Sequence, residues 1–100
     1  MREKTRELKF EIIWNNRINH PVVVFAKNGH KYKFIGLTHS KKSHGGILNK
    51  PLVVNPNPID KSISYFQPFV QEDHKRDFGK KLHDWKISKK DRETMKRFMK

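Results

Sequence analysis

The chain has 100 residues, and 23 Lys and Arg against 10 Asp and Glu give it a formal net charge of +13. This balance favours an anionic partner, nucleic acid before an anionic membrane surface. Cysteine is absent, which excludes disulfides, a thiolate nucleophile and cysteine-based zinc sites, and agrees with a reducing cytoplasm. No apolar run approaches the roughly 20 residues of a membrane helix. We therefore expect one small cytoplasmic domain, residues 1–100, outside any membrane.

The charges are unevenly distributed along the chain. No acidic residue lies between Glu11 and Asp60, whereas seven Lys and Arg do. Such a segment cannot supply paired carboxylates or the oxygen ligands of Mg²⁺. We therefore expect a bound anion and neither a metal nor another cofactor; the alternative is that the lysines only protect exposed sheet edges. The seven cations are Arg17, Lys27, Lys31, Lys33, Lys41, Lys42 and Lys50.

The first twenty residues predict an arm, a strand and a loop. Residues 1–9 alternate in charge, which predicts a short helix or a frayed arm, and residues 10–14 predict the first strand. The loop that follows ends at Pro21, which should start a strand because proline has no N–H to donate. Arg17 and His20 in this loop are candidate nucleic-acid-binding residues, or else ordinary solvated side chains.

A β-hairpin is the strongest local pattern. Residues 22–25 are Val-Val-Val-Phe, and β-branched and aromatic side chains suit a packed sheet. The Asn-Gly pair at 28–29 predicts a type I′ turn, since both residue types tolerate positive φ. Residues 32–38 alternate and predict the returning strand, which ends in a polar run.

Two further strands are predicted after the hairpin. Gly-Gly at 45–46 predicts a flexible connector. Residues 47–54 and 62–66 predict strands, and the Asn-Pro-Asn-Pro sequence at 55–58 predicts a rigid turn between them.

The segment 71–100 predicts a basic helical tail. Phe78, Leu82 and Trp85 have the i, i+4, i+7 spacing of a helical face, and Lys80 and Lys81 lie between them. We expect a short helix packed on the sheet. The alternative is that these two lysines and the indole bind nucleic acid, the aromatic ring stacking on a base.

A second helix is predicted near residue 90. Ser88 followed by Asp91 resembles a capping box, and Met95 and Phe98 then lie on one helical face. Together the elements predict a mainly-β (β+α) fold, a small, partly open β-barrel of residues 10–66 with one or two C-terminal helices.

The polar run that ends the hairpin is the predicted functional site. Thr38 and Ser40 can donate hydrogen bonds to the phosphate oxygens of RNA. Lys41 or Lys42 can neutralise charge that develops during catalysis, and a histidine can transfer a proton, with His39, His44 and His20 as candidates in that order. The predicted catalytic set is Thr38, His39, Ser40 and Lys41; the alternative is an ordinary polar loop at a strand end. The predicted nucleic-acid-binding residues are Arg17, His20, Lys31, Lys33, Lys42, His44, Lys80, Lys81 and Trp85.

Several short motifs follow one another in the first two thirds of the chain. Their order is PVVV, a turn, KYKFIGLT, HSKK, a loop and LVV. In this order the chain resembles the MazF/PemK-type toxins, including their ToxN-like branch, over about residues 10–66. The resemblance implies an SH3-like barrel and a bacterial, metal-independent endoribonuclease of the toxin–antitoxin type. It implies that the 2′-hydroxyl attacks the phosphate and leaves a 2′,3′-cyclic phosphate. It also implies an RNA or protein antitoxin as partner, and a homo-oligomer is possible.

The chain departs from that family in three places. His20 stands where the family has an arginine before proline, the glycine-containing start of the first strand is absent, and His39 separates Thr38 from Ser40. An inactive relative would show such departures. The alternative hypothesis is therefore a non-catalytic, basic nucleic-acid-binding protein of a bacterial mobile element, which explains the charge equally well. A third hypothesis is an interaction protein that recognises an acidic partner.

Overall fold

The structure is a computed structural model that describes residues 6–99, and it confirms the predicted mainly-β fold with a C-terminal helix. One helix, α1, spans Lys89–Lys96, and no helix in the described part of the chain is long and apolar enough to cross a membrane. Two 3-10 turns span His44–Gly46 and Lys75–Asp77. The strands are β1 (Arg6–Asn15), β2 (His20–Asn28), β3 (Lys31–Thr38), β4 (Lys50–Pro51), β5 (Tyr65–Phe66), β6 (Gln71–His74) and β7 (Phe78–Lys81).

All the strands pair antiparallel in one sheet, and β3 is its centre. The sheet order is β4-β5-β3-β2-β1-β7, with β6 also paired to β3. One edge of β3 pairs with β2, while its other edge pairs first with β6 and then, at Leu37 and Thr38, with β5. The order starts at β4 and ends at β7, so the sheet is open. This agrees with the predicted partly open architecture, whereas the SH3-like assignment stays a prediction.

The hairpin forms where predicted, but its turn is shifted by one residue. Asn28 pairs with Lys31, so the loop consists of Gly29 and His30. Gly29 has φ +64°, whereas His30 is not in the positive-φ region. A type I′ turn requires positive φ at both central residues, so that prediction is wrong. A positive φ at the first central residue alone is the pattern of a type II′ turn.

The central strands are buried on both faces. Ile12, Val23 and Ile35 belong to one core cluster, while Val22 and Phe34 belong to a second one. Alternate residues of a strand point to opposite faces, so adjacent valines enter different clusters. This explains why the Val-Val-Val run has no polar alternation, since both faces of the strand are covered.

Three predicted boundaries are wrong. β1 begins at Arg6 rather than at residue 10, because its start pairs with Lys27 and Ala26 of β2; the rest of the predicted arm, residues 1–5, lies outside the described residues. The predicted strand 47–54 reduces to β4 and an isolated bridge between Lys42 and Leu48. The predicted strand 62–66 reduces to β5.

The predicted helix over Phe78, Leu82 and Trp85 is also wrong. Phe78 packs against the second core cluster, whereas Leu82 and Trp85 pack against the first. The three side chains therefore do not share a helical face. β7 instead pairs with β1, placing Lys81 opposite Ile13, and the segment 71–100 contains the single helix α1.

The start of α1 is anchored as the capping pattern predicts. The Asp91 backbone N–H donates to Ser88 Oγ at 3.2 Å, which confirms Ser88 as the N-cap. The Asp91 carboxylate is buried, and it accepts the backbone N–H groups of Val53 and Val54 at 2.9 and 3.2 Å. It therefore fastens the helix to the loop after β4. Met95 on the same helix is fully buried in the first core cluster.

Candidate nucleic-acid interface

A polar cleft of about 550 Å³ lies at the end of β3. Its lining provides three hydroxyls, two carboxamides, one ammonium group, one imidazole and two apolar side chains. No carboxylate belongs to this lining in the part of the chain that the structure describes. The cleft is lined by Ile18, His20, Thr38, Ser40, Lys42, Ser43, Gln67, Phe69 and Gln71.

Strand register brings the two sides of the cleft together. Val22 pairs with Gly36 across β2 and β3, and beyond this pair His20 and Thr38 both line the cleft. On its other edge, Thr38 pairs with Tyr65 of β5. The chain leaving β5 therefore runs beside Gly36, whose carbonyl accepts the Gln67 N–H at 2.9 Å, and it supplies Gln67 and the residues after it.

A chain of hydrogen-bonded side chains holds one wall of the cleft. Ser43 Oγ donates to Asn49 Oδ1 at 2.9 Å, and Asn49 Nδ2 donates to the Ser40 carbonyl at 2.9 Å. Gln67 Nε2 donates to Ser43 Oγ at 3.1 Å, and Gln71 Nε2 donates to Gln67 Oε1 at 3.0 Å. Asn49 is buried, so these bonds fix the Ser43 hydroxyl and the two carboxamides of the lining.

The same network ends at an ion pair outside the lining. Arg17 donates through one guanidinium nitrogen to Gln71 at 3.4 Å and through Nε to Asp73 Oδ2 at 2.7 Å. The buried Asn15 side chain also donates to Asp73, at 3.0 Å. Arg17, a predicted RNA contact, is therefore already paired with a carboxylate.

Gly36 makes room for this network. A methyl group at Gly36 would collide with Oε1 of Gln67. We expect Gly36→Ala to lower the free energy of unfolding by about 1–2 kcal/mol, because Gln67 must give up its bonds to Ser43 and Gln71. In a Gln67→Ala background the same substitution should cost less than about 0.5 kcal/mol, since the obstacle is gone. Urea denaturation of the four proteins measures this coupling, and additive costs would contradict it.

A second cavity of about 280 Å³ adjoins the cleft and shares His20 and Thr38 with it. Trp14, Pro21 and Trp85 belong to its lining, together with polar groups at its rim. We call it the tryptophan pocket. Its remaining lining residues are Leu37, His39, Asn55 and Ser64.

The structure separates the predicted catalytic residues. Thr38 and Ser40 line the cleft, whereas His39 lines the tryptophan pocket and Lys41 lines neither cavity among the described residues. Lys42, predicted to bind nucleic acid or to neutralise charge, lines the cleft. The chain bends at residues 39 and 41 after β3 ends at Thr38, and this path brings 38, 40 and 42 into one lining without 39 and 41.

Carboxylates reach the cations of the acid-free segment from the second half of the chain. His39 Nε2 lies 3.5 Å from Asp60 Oδ2. The pKa of the Asp60 carboxyl is lowered because the Ser62 N–H and hydroxyl donate to it. Asp60 thus remains a carboxylate beside His39 at neutral pH. The lack of acidic residues between Glu11 and Asp60 is a property of the sequence. In the folded protein, among the described residues, acidic side chains are absent from the cleft lining but approach other parts of this segment.

The other predicted contacts lie away from the cleft. Lys31 and Lys33 pair with His74 and Glu72 of β6, and Lys31 lies seven residues before Thr38, about 23 Å along the strand. Lys80 and Lys81 are exposed on β7. Lys81 Nζ lies 3.1 Å from Glu11, the His44 side chain is outside the described residues, and Trp85 lines the tryptophan pocket.

Five lining residues were missed by the sequence analysis. Ser43, Gln67 and Gln71 are uncharged, and Ile18 and Phe69 have no special pattern around them. Gln67 and Gln71 come close to Thr38 only because β5 and β6 both pair with β3. No residue spacing along the chain predicts such a pairing.

No protein-family model, curated protein or solved structure matches this chain. The likeness to MazF/PemK-type toxins therefore stays a prediction.

Proposed function

We propose that this protein binds single-stranded RNA through the polar cleft at the end of β3. The observation that carries the proposal is the lining, where, among the described residues, hydroxyl, carboxamide, ammonium and imidazole groups meet without a carboxylate. Phosphate oxygens accept hydrogen bonds from such groups and would be repelled by a carboxylate. The net charge of +13 adds long-range attraction for a polyanion.

Single-stranded RNA fits this cleft better than a duplex. The half-buried Phe69 ring belongs to the same lining as Lys42. Unpaired bases stack on aromatic side chains while the backbone follows cations, and bases inside a helix are unavailable for such stacking.

Binding is tested by fluorescence anisotropy with a labelled, unstructured RNA of mixed sequence. We expect the dissociation constant to rise steeply between about 50 and 200 mM salt, because phosphate binding releases counterions. Polyglutamate at equal charge concentration serves as the competitor. Displacement of RNA by polyglutamate would favour the acidic-protein-partner hypothesis, and absence of RNA binding at low salt would refute the proposal.

A second candidate function is RNA cleavage without a metal, which the shared position of His20, Thr38 and Lys42 in the cleft favours. The 2′-hydroxyl of RNA can attack the adjacent phosphorus, with His20 accepting its proton. The P–O5′ bond then breaks, the 5′-oxygen takes up a proton, and a 2′,3′-cyclic phosphate remains. Lys42 and the hydroxyls stabilise the charge on the phosphate oxygens. The proton-transfer role moves to His20 from His39, which lines the other cavity.

Cleavage is tested by incubating RNA with the protein in EDTA and mapping the ends. We expect cyclic-phosphate ends, no cut where the 2′-hydroxyl is replaced by hydrogen, and a loss of about 10²–10⁴-fold in rate for His20→Gln. His30→Gln is the matched control and should retain most activity, since His30 is exposed at the β2–β3 turn and lines neither cavity in the described structure. Intact RNA in this experiment would leave the non-catalytic binding protein as the function.

The toxin–antitoxin role is a proposal that rests on cleavage. If the protein cleaves cellular RNA in a bacterial cytoplasm, its expression should arrest growth, and an antitoxin should relieve the arrest. Harmless overexpression of the active protein would refute the toxin role while leaving RNA binding untouched.

A further inference from the structure

We propose that the tryptophan pocket holds one nucleobase of the RNA whose phosphate lies in the adjoining cleft. This inference rests on the proposed RNA binding and extends it to recognition of the base. The pocket volume of about 280 Å³ is at the lower limit of ligand pockets, roughly 300 Å³. It therefore suits one flat ring system rather than a larger ligand.

The walls of the pocket suit an aromatic ring. The chain has 2 Trp, and both line this pocket. Trp85 packs against the first core cluster, so its indole is held in place. Trp14 is half-buried and lies opposite Pro21 across β1 and β2. It packs on neither core cluster in the described part of the chain. An indole that the core does not use offers a surface for stacking.

The pocket adjoins the cleft. His20 and Thr38 belong to both linings, so a single nucleotide can place its phosphate on one side of them and its base on the other. A nucleotide suits the two cavities together, because a phosphate needs the polar donors and a base needs the apolar walls. The occupant that follows from the proposed RNA binding is a nucleotide of the same RNA strand.

A fixed carboxamide can read the edge of the base. Asn55 Nδ2 donates to the Ser62 carbonyl at 3.0 Å, and Asn55 Oδ1 accepts the Asn57 N–H at 2.9 Å. These bonds orient the amide and leave one oxygen lone pair for a ligand, because the second N–H faces the Asp60 carboxylate. Asn55 is thus a pre-oriented acceptor at the pocket, which can distinguish bases by the donors on their hydrogen-bonding edge.

The test uses tryptophan fluorescence and anisotropy on the whole chain. The probes are four-nucleotide homopolymers of A, C, G and U, and an abasic ribose-phosphate oligomer of the same length, all in EDTA with a 2′-O-methyl backbone to prevent cleavage. We expect the base-containing probes to quench the fluorescence and the abasic probe to bind without quenching. One base should bind more tightly than the others.

Two substitutions test the roles of the two tryptophans that line the pocket. Trp14→Val retains a good strand former and should weaken binding of the preferred homopolymer about 5- to 150-fold, the range of one lost stacking interaction. It should leave binding of the abasic oligomer unchanged. Trp85→Phe retains an aromatic ring in the core and should weaken the preferred homopolymer less than Trp14→Val does. Thermal unfolding of each variant checks that the fold persists.

The outcomes separate this inference from the proposed function. Equal affinity for the abasic and the base-containing probes, without quenching, would overturn the nucleobase pocket and leave phosphate binding in the cleft intact. No binding of any probe at low salt would overturn both. Equal loss of both probes in a folded Trp14→Val protein would also overturn the pocket, because a stacking surface cannot weaken a ligand that has no base.

Discussion

Lys42→Glu is expected to weaken RNA binding by roughly 30-fold or more, because it removes a phosphate contact and puts a like charge against the backbone. Lys42 lines the cleft, and no carboxylate lines it among the described residues. Anisotropy titration at constant salt measures the change. With Lys42→Ala the loss should be smaller, and the slope of log affinity against log salt should fall by about 1.

Lys41→Glu is the matched control for this substitution. Lys41 and Lys42 are adjacent, and either change alters the net charge by the same amount, so the long-range field of the protein changes almost equally. Lys41 is exposed and lines neither cavity in the described structure. We expect an effect of less than about threefold from it. Equal effects of the two substitutions would mean that general charge, and not the cleft, attracts RNA.

Asp91→Ala is expected to lower the free energy of unfolding by about 3 kcal/mol, because it leaves buried donors without partners. The carboxylate accepts from the N–H groups of Val53 and Val54 and from the Ser88 hydroxyl. In a domain of this size, 3 kcal/mol corresponds to a fall in Tm of roughly 12–24 °C. Urea denaturation at pH 7 and thermal unfolding measure the effect.

Glu93→Ala serves as the control for Asp91→Ala. Glu93 lies on the same helix and is exposed, so its loss should change stability by less than about 0.5 kcal/mol. Asp91→Asn should fall between the two, since it retains one oxygen acceptor. A change of less than 0.5 kcal/mol for Asp91→Ala would contradict the role of this carboxylate as the tie between α1 and the loop after β4.

Local patterns predicted the elements that depend on local physics. The hairpin strands follow from β-branched side chains, and Ser88 was identified as an N-cap because its hydroxyl can satisfy a free helical N–H. The helix prediction for the segment 78–85 was wrong, because its spacing fits a helix only if Phe78, Leu82 and Trp85 share one face. They instead divide between the two core clusters, and the pairing of β7 with β1 that divides them is non-local.

The site was predicted in part for the same reason. Thr38, Ser40 and Lys42 lie in one cleft as a polar strand end predicts. Thr38, His39, Ser40 and Lys41 were grouped because they are neighbours in sequence. In the structure His39 lines the tryptophan pocket, and Lys41 lines neither cavity among the described residues. The carboxamides Gln67 and Gln71 carry no charge and reach the cleft through strand pairings that span 27 to 43 residues.

The position of β3 at the centre of the sheet has a consequence for synthesis on the ribosome. β1, β2 and β3 leave the exit tunnel first and can pair at once, but the outer edge of β3 waits for β5 and β6. A nascent chain with such an open edge is exposed to aggregation with other chains. Lys31 and Lys33 stand on that edge, where their charge opposes intermolecular pairing until His74 has emerged. Two lysines that lie far from the cleft therefore protect the nascent chain from aggregation while its sheet is still incomplete.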